Sequence, residues 1–466
     1  MSLYTSLVSR AIFPLHERLK GHNSARLLRQ MEKSQWWDRN RLDQWRLERL
    51  RRFLSAVGRN VPYYWRIFDE VGFSVQSLNS LHDLAQLPLL SKKEIRENTE
   101  AFKADNAPAL SRFNTGGSTG EPLIFYLDKE RVSHDVAAKW RATRWWDVDI
   151  GDPEIVFWGS PIELGAQDRI KAMRDRLLRT KLLPAFEMSP ASMDGFLSEI
   201  RRIRPKMLFG YPSALSLIAS HAQQSGELMD DAGIEVAFVT SECLYDDQRQ
   251  RIERVFGCRV ANGYGGRDSG FIAHQCPYGG MHITAEDIIV ETIDGEGRPA
   301  SPGQPGEVVV THLATGAFPF IRYRTGDIAV LDDGDCPCGR GLPMIKDIHG
   351  RATDFIIAAD GTVMHGLALI YVIRDLPGVE IFKIIQESLE YTRILLVATK
   401  AFDKADIRTI RDGVQARLGA GVRVDVERVD HIAREASGKF RHVISKVDTE
   451  AVYAGSSVKK GVIGHA

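Results

Sequence analysis

Between about residue 185 and residue 265 the apolar positions switch repeatedly between helical and strand spacing. Met193, Phe196, Leu197, Ile200 and Ile203 recur at three- and four-residue intervals and stop at Pro205, which predicts one face of a helix. KMLFGY then reads as a short buried strand, and PSALSLIASHA opens with a proline suited to a first helical turn. VAFVTS predicts a strand, DDQRQRIERVF a helix and CRVANGY a further strand. Such alternation predicts an α/β fold, a mostly parallel sheet with covering helices.

From residue 284 to 331 the pattern becomes strict alternation, DIIVETI, GEVVVTHL and DIAVL, broken by Gly, Pro and Asp turns. This predicts an antiparallel region attached to the sheet. After about residue 378, EIFKIIQ and RILLVATK predict strands. The segment DKADIRTIRDGVQARLGAG predicts a helix with Ile407, Ile410, Val414 and Leu418 on one face, and VRVDVERV another strand. The expected organisation is a large N-terminal domain of mixed sheets and helices, residues 1–350, and a small C-terminal α+β domain, residues 351–466, ending in a frayed tail. About the first hundred residues form a basic, tryptophan-rich helical arm, with Leu42, Trp45, Leu50 and Leu54 turned inward.

Composition narrows the function classes. A chain of 466 residues exceeds one ordinary domain, and 61 basic against 61 acidic residues leave no net field for nucleic acid. Five cysteines are too few for a disulfide scaffold, and no run of about 18 apolar residues is available to cross a membrane. The start, interrupted by Arg10, reads as mature sequence, so the expectation is a soluble, reduced, cytoplasmic protein. From Arg10 to Arg52 there are twelve Lys/Arg against five Asp/Glu, which reads first as a solvated helix face and second as a surface for an anionic membrane or partner. All eight tryptophans lie between Trp36 and Trp158 and all five cysteines between Cys243 and Cys338, which predicts two separate environments.

Four motifs offer chemistry. Thr115, Gly116, Gly117, Ser118, Thr119 and Gly120 form a loop whose backbone and hydroxyls suit phosphate oxygens, although an ordinary Gly/Ser turn reads the same way. It lacks the Gly-Lys-Ser/Thr ending of a Walker A loop. Tyr264, Gly265 and Asp268 follow a predicted strand, at the edge where open α/β sheets bind ligands. Asp327, in YRTGD, is an aspartate at a turn that could accept from a ribose diol, or a bare turn residue. Lys439 follows Gly438 near the C-terminal end, a position that is ordinarily solvent-facing.

In this order and spacing, with Arg351 after Gly350, the set resembles the adenylate-forming acyl/aryl ligase superfamily, and within it the phenylacetate-CoA ligase and capsular-polysaccharide, CapK-like branch. The resemblance covers nearly the whole chain, including VPYYWRIF and LPLLSKKEIREN. It implies ATP-dependent activation of an aryl or acyl carboxylic acid through an acyl-adenylate, followed by thioester formation with coenzyme A. By the same match residues 114–120 hold the ATP phosphates, Tyr264 and Gly265 form the adenine motif, with Tyr264 stacking on the base, and Ser241 and Glu242 line that pocket. Asp268 lies near Mg2+, Asp327 binds the ribose, Arg351 lies near ribose and phosphate, and Lys439 reaches the acid and the α-phosphate. The small domain becomes a lid, with residues 353 and 354 at its hinge. Glu121, where many relatives have lysine, and the Thr353-Asp354 pair depart from the family pattern. A degenerate nucleotide- or acyl-binding scaffold in polysaccharide or lipid assembly, or an acceptor other than coenzyme A, is the alternative. The expected partner is a small-molecule acid, with a homodimer also allowed. A pocket lined around Trp158–Ile162 and Phe209–Ser213 would suit an aryl or acyl group, or those residues belong to the core.

Cys276, His282, Cys336 and Cys338 are a suitable tetrahedral set for structural Zn2+, as against reduced free thiols, with His274 or His349 as substitutes for His282. Similar Cys/His pairs in the capsular-type branch imply the metal. Cys243 and Cys258 read as core thiols.

Overall fold

Met207–Gly210 and Val236–Thr240 are buried along their whole length, the signature of strands covered on both faces. The computed structural model describes residues 2–115, 123–158, 169–185, 190–301, 303–351, 355–360, 363–365, 367–374, 376–433 and 441–447. In chain order its strands begin with a separate hairpin, β1 (Ser111–Asn114) and β2 (Ile124–Leu127). Then follow β3 (Glu154–Trp158), β4 (Thr180–Pro184), β5 (Met207–Gly210), β6 (Val236–Thr240), β7 (Arg259–Gly266), β8 (Gly270–Gln275) and β9 (Met281–Ile283). The last four of this unit are β10 (Ile288–Ile293), β11 (Pro305–His312), β12 (Tyr323–Asp332) and β13 (Met344–Arg351).

Among the described residues β3 to β13 form one sheet in the order β10-β11-β12-β13-β9-β8-β7-β6-β5-β3-β4. Strands β4, β3, β5, β6 and β7 pair in parallel, with helices Pro190–Ile203, Pro212–Gln224 and Asp246–Phe256 between them in sequence. Beyond β7 the pairs β7–β8, β8–β9, β9–β13, β11–β12 and β10–β11 are antiparallel. The two expected sheet regions are therefore halves of one sheet. One expectation is corrected: YRTGD does not form a turn but opens β12. Pairing with β11 shifts between Glu307 and Val309, whose partners are Ile328 and Arg324, so β12 bulges there around Gly326 at φ +78°.

The helical arm packs as its periodicity predicts. In Arg39–Asn60, Leu42, Leu50 and Leu54 are buried and Trp45 is half-buried. A layer of buried charge joins the arm to the sheet between β9 and β10. Arg141 donates to Glu286 at 2.6 Å, Ser34 Oγ to the same oxygen at 2.7 Å, and Arg49 to Asp287 at 3.0 Å, with His134 against the second Asp287 oxygen. Burial alone would raise Asp287, but His134, Arg49 and Arg141 outweigh it and hold the carboxyl below its ordinary value.

The chain divides at Ile348/His349 into two compact units. In the second, β16 (Val379–Gln386) pairs with β17 (Tyr391–Ala398), flanked in parallel by β18 (Arg423–Arg428) on β17 and β19 (Val443–Ser445) on β16. A short hairpin, β14 (Phe355–Ile357) with β15 (Val363–His365), precedes them. Helix Lys404–Leu418 starts at an Asp403 cap and buries Ile410, Val414 and Leu418. Buried Gln386 exchanges two hydrogen bonds with the Ile357 backbone, at 2.6 and 3.1 Å, and so fastens the hairpin to the sheet. Among the described residues no helix is long and apolar enough to cross a membrane.

Candidate functional site

The parallel strands deliver a row of half-buried groups at their carboxyl ends, where the chain must leave the sheet and the next helix has not yet covered it. Trp158 ends β3 and stacks on Tyr211, which follows β5, with ring centroids 4.5 Å apart. Phe209 and Tyr211 are buried, so that part of the expected pocket lining is core. Ser241 follows β6 in the left-handed region at φ 73°, a strained conformation for a non-glycine residue. The Glu242 carboxylate accepts from Ser213 N at 3.2 Å, which caps helix Pro212–Gln224 with negative charge at its positive end.

At the end of β7 the chain reverses through Arg267, Asp268 and Ser269 into β8. Two tyrosine-carboxylate pairs meet here. Tyr264 donates its hydroxyl to Asp327 at 2.8 Å, and Tyr323 donates to Asp268 at 2.6 Å. The other Asp268 oxygen accepts from Ser269 N at 3.0 Å. Below the turn the guanidinium of buried Arg131 bonds Asp135 and lies 3.5 Å from the carbonyls of Arg267 and Asp268. Strand β12 stands four steps from β7 in the sheet order, roughly 19 Å in a flat sheet, far beyond the reach of a tyrosine. The antiparallel half must therefore curl back over the β7–β8 turn, and the β12 bulge aims Asp327 at Tyr264.

The register of β7 and β8 also shifts, between Tyr264 and Gly265. A Cβ on Gly265 would stand 2.1 Å from the Gly270 carbonyl oxygen, a backbone atom that cannot turn aside. Gly265→Ala is expected to lower unfolding stability by about 2 kcal/mol through overpacking, read as a reduced urea midpoint at unchanged slope.

Thr115 closes the neck of the β1–β2 hairpin: its N–H donates to the Leu123 carbonyl at 3.0 Å and its hydroxyl accepts from Leu123 N at 2.9 Å. The rest of that loop, Gly116, Gly117, Ser118, Thr119 and Gly120, lies outside the described residues, as do Glu121, Thr353, Asp354 and Lys439. Arg351 ends β13.

Cys276, His282, Cys336 and Cys338 come together, with all four ligand atoms within 4.8 Å of one another. Cys276 Sγ lies 3.6 Å from Cys336 Sγ, and Cys338 Sγ 3.2 Å from His282 Nε2. Edges of a tetrahedral zinc site with such ligands are about 3.5–3.8 Å, so the donor set fits the ion. Gly280 completes the cradle: a Cβ there would meet Cys336 Sγ at 2.6 Å and His282 Nε2 at 3.1 Å. Burial pushes His282 down to about 4, which keeps the imidazole in its neutral, ligating form. His274 is elsewhere, buried against Phe271 and Phe238. Cys258 is buried and pushed up to about 12 by desolvation, whereas Cys243 is only half-buried.

The expectation of separate tryptophan and cysteine environments is overturned. Trp145 meets His282 edge-on at 5.5 Å, and Trp37 and Trp45 pack in the same core cluster as Cys276 and Cys336. The residues between Cys338 and β13 dock on the arm, because Gly341 N donates to the Gln35 carbonyl at 3.0 Å. Tyr323 and Arg131 were not singled out by sequence. Tyr323 stands in the YRTGD motif and was within reach of it, but nothing local marks an arginine in a helix as the support of a distant turn.

The CapK C-terminal domain family matches residues 356–446. Protein CapK of Staphylococcus aureus is 22% identical over 405 residues, 86% of this chain and 88% of that protein. The phenylacetate-coenzyme A ligase of Pseudomonas putida is 28% identical over 323 residues, 68% of this chain and 72% of the relative. The crystal structure of 2-hydroxyisobutyryl-CoA ligase in the postadenylation state, in complex with R3-HIB-AMP, matches with a TM-score of 0.71 at 22% identity, covering 91% of this chain and 93% of that one, a likeness of fold. These matches support the resemblance of the ordered motifs to the adenylate-forming superfamily, in the branch that holds CapK and the phenylacetate-CoA ligases.

Proposed function

We propose that the protein uses ATP to convert a small aryl or acyl carboxylic acid to an acyl-adenylate and then transfers the acyl group to coenzyme A. The observation that carries this reading is the pair of tyrosine-held carboxylates, Tyr264 on Asp327 and Tyr323 on Asp268, at the carboxyl ends of the parallel strands. In this reading the ring of Tyr264 stacks on adenine while its hydroxyl fixes Asp327 for the ribose diol, so one hydrogen bond sets the spacing of both contacts. Ser241, Glu242 and Gly265 border the base, and Thr115 anchors the loop of Gly116, Gly117, Ser118, Thr119 and Gly120 over the phosphates. Arg351 stands near ribose and phosphate.

In the first step a carboxylate oxygen of the acid bonds to the α-phosphorus and pyrophosphate leaves. In the second the sulfur of coenzyme A bonds to the acyl carbon and AMP leaves. Two anions must approach in the first step, so positive charge is needed where charge builds up, and Lys439 supplies it. Asp268 would help to hold Mg2+, whose charge would assist at the phosphates. Glu121 removes a cation that many relatives carry beside the loop, which shifts phosphate binding onto backbone donors and Lys439. Residues 351–466 act as the lid over 1–350, pivoting near 353 and 354. Cys276, His282, Cys336 and Cys338 would hold Zn2+ in a structural role, since together they offer a full set of four protein ligands.

AMP release measured across a panel of aryl and acyl acids, with and without coenzyme A, tests the reading. One acid is expected to release AMP, faster with coenzyme A, and Lys439→Ala to slow it about a hundredfold. ATP binding with no AMP from any acid, or an unchanged rate in Lys439→Ala, would overturn it.

A further inference from the structure

Three helical segments, Leu3–Leu7, the π turn Val8–Ile12 and Phe13–Leu19, follow one another with helical backbone angles at both junctions. Pro14 lies within this run. It has no N–H, and its ring crowds the carbonyl four residues back, so it does not fit a regular α ladder. The π turn just before it, closed by Phe13 N–H on the Val8 carbonyl, widens the spiral at that point.

The same turn rephases the side chains. In an unbroken α-helix Leu19 would stand about 160° around the axis from Leu3. Residues of a π turn each advance through a smaller angle, which brings Leu15 and Leu19 back toward the face of Leu3 and Leu7. All four are exposed, Leu3 by 92%, Leu7 by 55%, Leu15 by 60% and Leu19 by 79%, while Thr5, Val8, Ser9, Phe13 and Glu17 are buried. Helix Arg169–Leu178 runs past, with Tyr4 donating to the Leu177 carbonyl at 2.8 Å, and adds exposed Met173 and Leu177.

The charge around this apolar face is predominantly positive. Up to Lys33 the chain carries Arg10, Arg18, Lys20, Arg26, Arg29 and Lys33 against only Glu17 and Glu32. Glu17 is buried and accepts from Ser24, and Glu32 pairs with Arg144. Beside the leucines a cleft of about 430 Å³ opens between the N-terminal helix and helix Ser24–Ser34, its lining including Phe13, Leu28, three arginines, Arg10, Arg29 and Arg144, and one acid, Asp149. Arg144 is held by Asp149 and Glu32, whereas among the described residues the side chains of Arg10 and Arg29 have no ion pair or hydrogen bond.

We propose that this helix lies in the surface of an anionic lipid bilayer, with Leu3, Leu7, Leu15 and Leu19 below the headgroups and Arg10 and Arg29 on headgroup phosphates. A leucine face rimmed by cations is the pattern of an interfacial helix, and anionic headgroups answer both parts of it. A second copy of the chain answers only the leucines, since it would bring like charges together. The phosphates meet guanidinium groups whose planar donors suit two oxygens at once.

Flotation of the full chain with vesicles tests the proposal. Binding is expected to mixed phosphatidylglycerol-phosphatidylcholine vesicles, to weaken with salt, and to be absent with phosphatidylcholine alone. Leu7→Gln/Leu15→Gln and, separately, Arg10→Gln/Arg29→Gln should each weaken it at least about tenfold at an unchanged unfolding midpoint. The proposal is overturned if the wild type does not float with the anionic vesicles, or if both double variants float as it does. Light scattering that shows a dimer dissolved by Leu7→Gln/Leu15→Gln would also overturn it, by giving the face to a second copy.

Discussion

Cys336→Ser is expected to purify without the one zinc ion per chain that the wild type should hold, and to unfold roughly 5–10 °C lower. The four ligands come from two segments sixty residues apart, Cys276 and His282 around the β8–β9 turn and Cys336 and Cys338 after β12. A short ladder, Met344 with His282 and Ile345 with Met281, continued by Ile283 N on the Pro343 carbonyl at 2.8 Å, joins the two segments, and a metal ion would add a fastening between the turns themselves. The consequences extend to the arm, because Arg340 stacks over Trp36 and Trp145 and donates to Gln35 at 3.3 Å. Without the ion, buried sulfurs are left facing one another and the Arg340 turn loses its base. Metal analysis of dialysed protein together with calorimetry reads both effects. Wild-type protein free of zinc, or Cys336→Ser with full zinc, would remove the metal from the account.

Arg141→Met is expected to cost about 3–5 kcal/mol of stability, and the Arg141→Met/Glu286→Leu double variant to recover much of it. Arg141 and Glu286 are both fully buried and 2.6 Å apart. The cost of the single variant is that of Glu286 left charged in the core with, among the described residues, only Ser34 to donate to it, rather than the worth of the bond itself. The double variant removes both charges together, so equilibrium denaturation of the three chains separates the two terms. Equal destabilisation by the single and double variants would show that packing of the long side chains, not the stranded carboxylate, is what matters here.

Local elements and most of the topology follow from short-range pattern. The three- and four-residue spacing from Met193 to Ile203 and the unbroken apolar runs after it are consequences of burial on one face or two, and such burial is recorded in consecutive residues. The Tyr264 turn was readable for the same reason, since glycines and an acid after a strand have local meaning. The cluster of Cys276, His282, Cys336 and Cys338 was readable by residue type, although not by spacing.

What tertiary structure alone decided lies between residues far apart in the chain. Tyr264 reaches Asp327 and Tyr323 reaches Asp268 only because the antiparallel half of the sheet curls back, and curl is a property of many strands at once. A turn was expected at YRTGD because Gly and Asp favour turns, but its pairing with β11 turned it into a bulge. The tryptophans and cysteines, separated along the sequence, share one core, since packing follows complementary shape rather than position in the chain. The leucines of the first helix form one face only once a π turn rephases them, and that turn is set by where Pro14 falls in the helix rather than by hydrophobic period.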